Sequence, residues 1–277
     1  MTRPQEIFSP LPFRRRGPKQ KRRVLDRGTS ASLGSCKIFL DLLPFQRILL
    51  NVMSWFSELY KAAVIKKAIM AISGLVLFGW ILGHMAGNLK VFAGPEKFNA
   101  YAEFLREMGT PLLPHGGALW LIRGVLTLSI ALHVWSATSL TLTNRRARAA
   151  SYTIHRTVQL DYAARTMRWS GYLIAAYILF HLMHLTWGTL HPDFVAGDPY
   201  GNLVKGFRVV PIAFVYIFAN VLLGTHLYHG LWSMFQSLGL NHERYNPWRR
   251  TFAVTFAVLV SLGFITVPVA VLLGIVS

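Results

Sequence analysis

Four long stretches of this chain that lack any charged residue each carry a histidine. These are His84, His133, His181 and His226, and second histidines follow three residues later at His184 and His229. A neutral imidazole keeps one ring nitrogen free to accept a proton or bind a metal. Inside an apolar span such a residue is costly, so it tends to face the bundle interior and to have a task there. The spacing repeats. Ser73-Gly74 precedes His84, and Ser170-Gly171 precedes His181, each serine lying eleven residues before its histidine. His84 and His133 are 49 positions apart, His181 and His226 are 45. The pattern reads as two copies of one helical hairpin. Imidazole is the common protein ligand of haem iron, and helix-bundle interiors are where such sites are built. Four histidines on four helices suffice for two bis-histidine b-type haems. His184 and His229 are the substitutes should His181 or His226 not be the ligand. His115, His155, His191 and His242 fall in links and read as solvated, with His115 and His155 the ones placed to meet a quinone or a propionate.

The elements that must position these histidines follow from where charge is missing. No Asp, Glu, Lys or Arg occurs in 68–89, 124–144, 169–192, 209–242 or 251–277. Each stretch has at least the roughly 20 residues a helix needs to cross a hydrocarbon core of about 30 Å. The expectation is an all-α membrane protein with five transmembrane helices, the first four forming a haem-binding four-helix bundle and the fifth outside the repeat. The net charge of +18 is a topology signal and a poor one for nucleic acid. Residues 1–52 hold eleven Lys/Arg against three acids, and 145–168 hold six against one, whereas 90–123 is nearly balanced. Lys and Arg collect on the cytoplasmic side, which puts the N-terminus in the cytoplasm and the C-terminus outside a bacterial inner membrane.

Depth bears on the pairing. His84 lies 17 residues beyond Lys67 and His181 lies 13 beyond Arg168, or about 25 and 20 Å along a helix. His133 is 12 residues short of Arg145 and His226 is 12 short of Leu238, each about 18 Å. That order favours His84 with His181 near the outer face and His133 with His226 near the inner face, though 20 against 18 Å does not decide it. Eleven residues is close to three turns, so Ser73 and Ser170 share a face with their histidines. A helix that ligates the outer haem would then present small residues where the inner porphyrin approaches, and Gly124 could do the converse on the second span. Ordinary small-residue packing between membrane helices explains any one of these equally well.

The chain divides into a basic segment, 1–60, expected to be disordered, and a membrane domain, 61–277. The segment is either a cytoplasmic tail that meets anionic lipid or no part of the native chain, since Met53 opens a natural-looking entry to the first span. The first outside link spaces Phe98, Tyr101, Ala102, Leu105 and Met108 at helical intervals. It predicts a short amphipathic surface helix over 96–108, ended by Pro111 and Pro114. Glu103 and Glu107 on that helix are the candidate proton partners for a quinone, with solvated surface carboxylates the competing reading. The lone Cys36 excludes a cysteine-ligated iron–sulfur cluster within this chain.

From Lys66 onward the chain resembles the cytochrome b subunit of the succinate dehydrogenase/fumarate reductase family, of the single-chain, five-helix, dihaem type. The resemblance is carried by His84-Met-Ala-Gly-Asn88, by Arg168-Trp-Ser-Gly171 with His181, and by His226-Leu-Tyr-His-Gly-Leu-Trp-Ser233. It implies one ligand per helix at His84, His133, His181 and His226, with the first helix paired to the third and the second to the fourth. It also implies a membrane anchor on which a flavoprotein and an iron–sulfur subunit dock. Electrons would pass between succinate/fumarate and a quinone, menaquinone rather than ubiquinone, in a complex of the tricarboxylic acid cycle. The absence of a G-x-G-x-x-G fingerprint and of a cysteine cluster agrees: this chain cannot oxidise succinate alone. Some similar dihaem members carry a proton-conducting glutamate two residues before the fourth ligand; here that residue is Gly224.

The competing readings are the anchor cytochrome b of another membrane oxidoreductase, such as a hydrogenase or formate dehydrogenase, and a haem-free transporter that uses histidines for protons.

Overall fold

A computed structural model describes residues 62–147, 158–240 and 242–277. The basic segment 1–60 and His155 lie outside the described residues.

Regular structure among the described residues is all helical: α1 (Ala63–Leu89), α2 (Pro95–Glu107), α3 (Gly117–Arg146), α4 (Val158–His181), α5 (Pro199–Arg208), α6 (Val210–Ser237) and α7 (Asn246–Leu272). Four helical stretches among them are long and apolar enough to cross a membrane, namely 63–93, 117–146, 210–237 and 246–272. The remaining long helix, α4, is not among them. Asp161, Arg165 and Arg168 charge its first half, and its α-helical part stops at His181. A single π turn, Leu182–Thr186, follows before the chain leaves the helix. The expected span over 169–192 is therefore helical only to Thr186.

Side-chain contacts fix the directions. Ser73 of α1 meets His133 of α3, and Ser170 of α4 meets His226 of α6. Phe78 stacks on Phe256 and Met85 lies against Gly263, so α1 and α7 run parallel. Asn220 and Phe235 of α6 meet Ser261 and Phe252 of α7, so those two are antiparallel. Lys67, Arg145 and Arg168 thus share one end with the start of α7, here called the basic end. α6 and α7 approach closely through small residues: Gly224 leaves no room for a Cβ beside Ser261, and Ala253 and Ala257 are buried. Close backbone approach of this kind is how helices associate where lipid removes the usual hydrophobic drive. Outward-facing side chains such as Ile72, Leu128, Phe214, Phe218 and Leu259 are exposed, as lipid contact requires.

The opposite end is capped. The expected surface helix is present as α2, started by Gly94 at φ 93° and Pro95 at its first turn, with Phe98 buried and Phe104 exposed. Beside it lies α5, in the stretch between the charge-free segments 169–192 and 209–242. Asp198 caps α5 by accepting from the Gly201 amide at 3.0 Å, and Pro199 opens it. Leu203, Val204 and Phe207 of α5 bury against Val91, Phe98, Tyr216, Val267 and Val271. Asn99 ties the two caps together: its Nδ2 donates to Asp198 at 3.0 Å, and its Oδ1 accepts from the Tyr200 amide at 3.0 Å.

Arg249 anchors the basic end. It is 2% exposed and donates to the Leu240 carbonyl at 2.7 Å and to Asn246. Its guanidinium also lies 5.0 Å from the Trp232 ring centre, a cation–π contact.

Candidate functional site

The helices enclose a cavity of about 1750 Å³ whose walls include His84, His133, His181 and His226. Ligand pockets run to roughly 300–1,000 Å³, so this one has room for two large groups. The four histidines stand in two pairs. The ring centres of His84 and His181 are 5.9 Å apart, and those of His133 and His226 are 6.3 Å apart. Two imidazoles bound to one metal from opposite sides have ring centres about 6 Å apart. That follows from two metal–nitrogen bonds of about 2 Å and about 1.2 Å from nitrogen to ring centre on each side. Among the described residues no three His, Cys, Asp or Glu side chains converge as a metal site. A facing pair supplies two ligands only, which suits a metal whose remaining ligands come from a macrocycle.

The pair nearer the basic end is seated by the repeat. His133 Nδ1 lies 3.1 Å from the Met70 carbonyl and 3.4 Å from Ser73 Oγ. His226 Nδ1 lies 3.3 Å from Ser170 Oγ, and its ring has a backbone partner in Met167. Met70, Ser73 and Gly74 match Met167, Ser170 and Gly171 at one spacing of 97 residues. A carbonyl accepts only from a protonated nitrogen, so Nδ1 carries the hydrogen and Nε2 is left free to ligate. A Cβ on Gly74 would come 3.2 Å from His133 Cε1, and one on Gly171 would come 3.4 Å from His226 Cε1. The small residues expected to clear a path for porphyrin thus make room first for the histidine rings of the neighbouring helix. Gly124, expected to do the converse, has nothing within 4 Å of a built Cβ and is exposed.

The pair nearer the capped end is held by aromatic groups. His84 stacks on Trp80 with ring centres 5.4 Å apart and meets Phe264 at 5.9 Å. His181 Nδ1 lies 3.3 Å from the Tyr216 hydroxyl, a partner the sequence reading missed. Of the two substitute histidines, His184 turns away from the cavity. It is fully buried, stacked between Phe180 and His191 at 5.7 and 5.0 Å, with its Nδ1 3.0 Å from Tyr216. His229 does line the cavity, beside Tyr228.

The remaining candidates sit at the surface or in the cap. His191 is buried, donating from Nε2 to the Asn202 carbonyl at 2.8 Å. His242 accepts from the Arg244 amide. Glu103 is exposed, accepts from Arg106 at 2.7 Å and pairs with His115 at 3.1 Å. Those two partners, Arg106 first, hold its carboxyl below the usual carboxylate range. Neither Glu103 nor Glu107 lines the cavity, although Leu105 between them does.

Fold and site together define a multi-helix membrane protein with two histidine pairs facing across an internal cavity. Residues 143–266, a little under half of the chain, match the family model of the succinate dehydrogenase/fumarate reductase transmembrane subunit, and this stretch is similar to that family. The stretch holds α4, α5, α6 and most of α7, with His181 and His226 but not His84 or His133. No curated protein and no solved structure matches the chain significantly.

Proposed function

We propose that the chain is the dihaem membrane anchor of a succinate:quinone oxidoreductase. In it His84 and His181 hold one b-type haem and His133 and His226 the other. The observation that carries this reading is the spacing of the two pairs, 5.9 and 6.3 Å between ring centres, drawn from four successive long helices. A bis-histidine haem supplies one-electron transfer without opening an iron site to substrate. The chain's own residues orient the imidazoles, fix which nitrogen is free and exclude water from between the helices. α4 serves as the fifth membrane span.

Lys67, Arg145, Arg168, Arg249 and Arg250 at the basic end favour a cytoplasmic position for that end. There a flavoprotein and an iron–sulfur subunit would dock, with the C-terminus on the far side. Quinone is the electron partner, menaquinone in our reading, and Glu103 and Glu107 are the proposed proton partners on the capped side. Of the two, Glu103 has an imidazole beside it, and such a pair can hold and release a proton.

The test is the assembled complex purified from membranes. It should show a b-type reduced-minus-oxidised spectrum, with succinate reducing the haems and a menaquinone analogue reoxidising them. A complex with no b-type absorption contradicts the reading. Glu103→Gln should lower quinone turnover without changing the haem spectrum, and unchanged turnover removes Glu103 from the proton path.

A further inference from the structure

The two histidine pairs are held by different chemistry. His133 has a backbone carbonyl as its Nδ1 partner, whereas His181 has a phenol. That phenol, Tyr216, is shared. Its hydroxyl lies 3.3 Å from His181 Nδ1 and 3.0 Å from His184 Nδ1. A hydroxyl has one hydrogen to give and two lone pairs to receive with, so three groups in series must agree on a direction.

We infer that Tyr216 and His184 form a positioning relay that fixes the tautomer and ring orientation of His181; this rests on the reading of His181 as a haem ligand. If Nε2 of His181 is the ligating nitrogen, its Nδ1 is protonated and donates to the Tyr216 oxygen. Tyr216 then donates its own hydrogen to His184 Nδ1. His184 in turn carries its proton on Nε2. Nε2 of His184 is buried without a hydrogen-bonding partner, an arrangement that calls for an explanation. The relay assigns that nitrogen its proton, since His184 must protonate Nε2 for its Nδ1 to accept from Tyr216.

The cap helix α5 keeps the relay in register. Gly206 on α5 lies so close to the His184 ring that a Cβ there would come 2.6 Å from its Cε1 and 3.0 Å from its Nε2. His184 is clasped further by Phe180, with the rings 5° from parallel, and by His191, itself bonded to the α5 backbone. Tyr216 is 3% exposed and wedged edge-on between Tyr177 and Phe207 at 5.2 and 4.8 Å. That packing holds the phenol oxygen between the two imidazoles. Groups behind a metal-bound histidine set its orientation and raise its basicity, so the relay acts on the metal through His181.

Tyr216→Phe keeps the ring and deletes only the hydroxyl, and Tyr177→Phe is its control on a tyrosine that touches His181 by ring contact alone. Both are measured in the whole complex by haem content, potentiometric titration of the two haems and the low-temperature signal of the ferric state. His84→Ala identifies which midpoint belongs to the His84/His181 haem. With the acceptor gone, His181 becomes less basic and the ferric state less favoured. The expected result for Tyr216→Phe is that this midpoint moves up and its ferric signal shifts, while the other haem and the Tyr177→Phe complex stay at wild-type values. A Tyr216→Phe complex with both haems indistinguishable from wild type overturns the inference.

Should Tyr216→Phe lose both haems, His184 decides. His184→Asn keeps an acceptor and should behave as wild type, whereas His184→Leu should shift the same midpoint upward. Equal midpoints in those two variants overturn the inference. A wild-type complex without haem overturns the underlying reading and this inference with it.

Discussion

Replacing Gly74 and Gly171 by alanine, one at a time, probes how tightly each half of the repeat grips its histidine. The added methyl at position 74 would sit 3.2 Å from His133 Cε1 and 3.5 Å from its Nδ1. Carbon atoms pack best at about 3.5–4.0 Å, so the ring must retreat by a few tenths of an ångström. Its retreat is opposed by the Met70 carbonyl at 3.1 Å and by Ser73 at 3.4 Å. Alanine gains about 0.5–1 kcal/mol over glycine in a helix interior, and overpacking costs about 1–3 kcal/mol. The balance for Gly74→Ala is a loss of about 1 kcal/mol. At position 171 the methyl would lie 3.4 and 3.9 Å from the His226 ring, ordinary contact, so the helix gain of about 0.5–1 kcal/mol survives. The two variants should therefore differ by roughly 2 kcal/mol with opposite signs, read by reversible denaturant unfolding in one detergent. Equal stabilities, or Gly74→Ala the more stable, would refute the seating argument.

Other expectations follow from the cap and the basic end. Asn99→Ala removes two hydrogen bonds of 3.0 Å between α2 and α5 and should cost about 1–2 kcal/mol in the same unfolding assay. Asp198 is held below the usual carboxylate range, first by the Gly201 amide and then by Asn99. A depressed carboxylate adds stability that is present above its unfolded pKa of about 3.9 and is lost as pH falls through the lower, folded value. Amide exchange in α5 should therefore accelerate below about pH 4, and Asp198→Asn should flatten that acid limb. Arg249→Met leaves the Leu240 carbonyl and Asn246 without a charged donor. It should destabilise the start of α7 by about 2–4 kcal/mol, seen as faster proteolysis after Gly239.

Much of the site was legible because membrane burial makes polar residues stand out. The four histidines and their duplicated spacing could be read from positions along the chain. Depth along the helices favoured pairing His84 with His181 and His133 with His226 without deciding it, and the structure places the residues in those pairs. Helix α2 was legible from its apolar period. Helix α5 was not, because Pro199, Gly201 and Gly206 read as loop punctuation. Their real roles are a first-turn proline, the amide donor to a capping carboxylate, and a close approach to His184. The end of α4 was obscured for a related reason: absence of charge continues to Pro192, but the helix gives out in the turn around His184. Tyr216 escaped notice because a tyrosine in an apolar span looks like packing. The clue was available, since it lies ten residues before His226 in a span with few other polar groups, and Asn220 sits one turn on from it. The partners of Ser73 and Ser170 depend on which neighbouring helix packs there, which spacing within one helix does not specify.

If four histidines hold two haems in these two pairs, the haem-to-chain stoichiometry of single and double variants must follow the pairing. The wild-type complex should hold two b haems per chain, and His84→Ala, His133→Ala, His181→Ala and His226→Ala should hold one each. The double variant His84→Ala/His181→Ala should still hold one, because both changes empty the same site, whereas His84→Ala/His133→Ala should hold none. A wild-type chain without haem, or a His84→Ala/His181→Ala chain that loses both, would contradict the account.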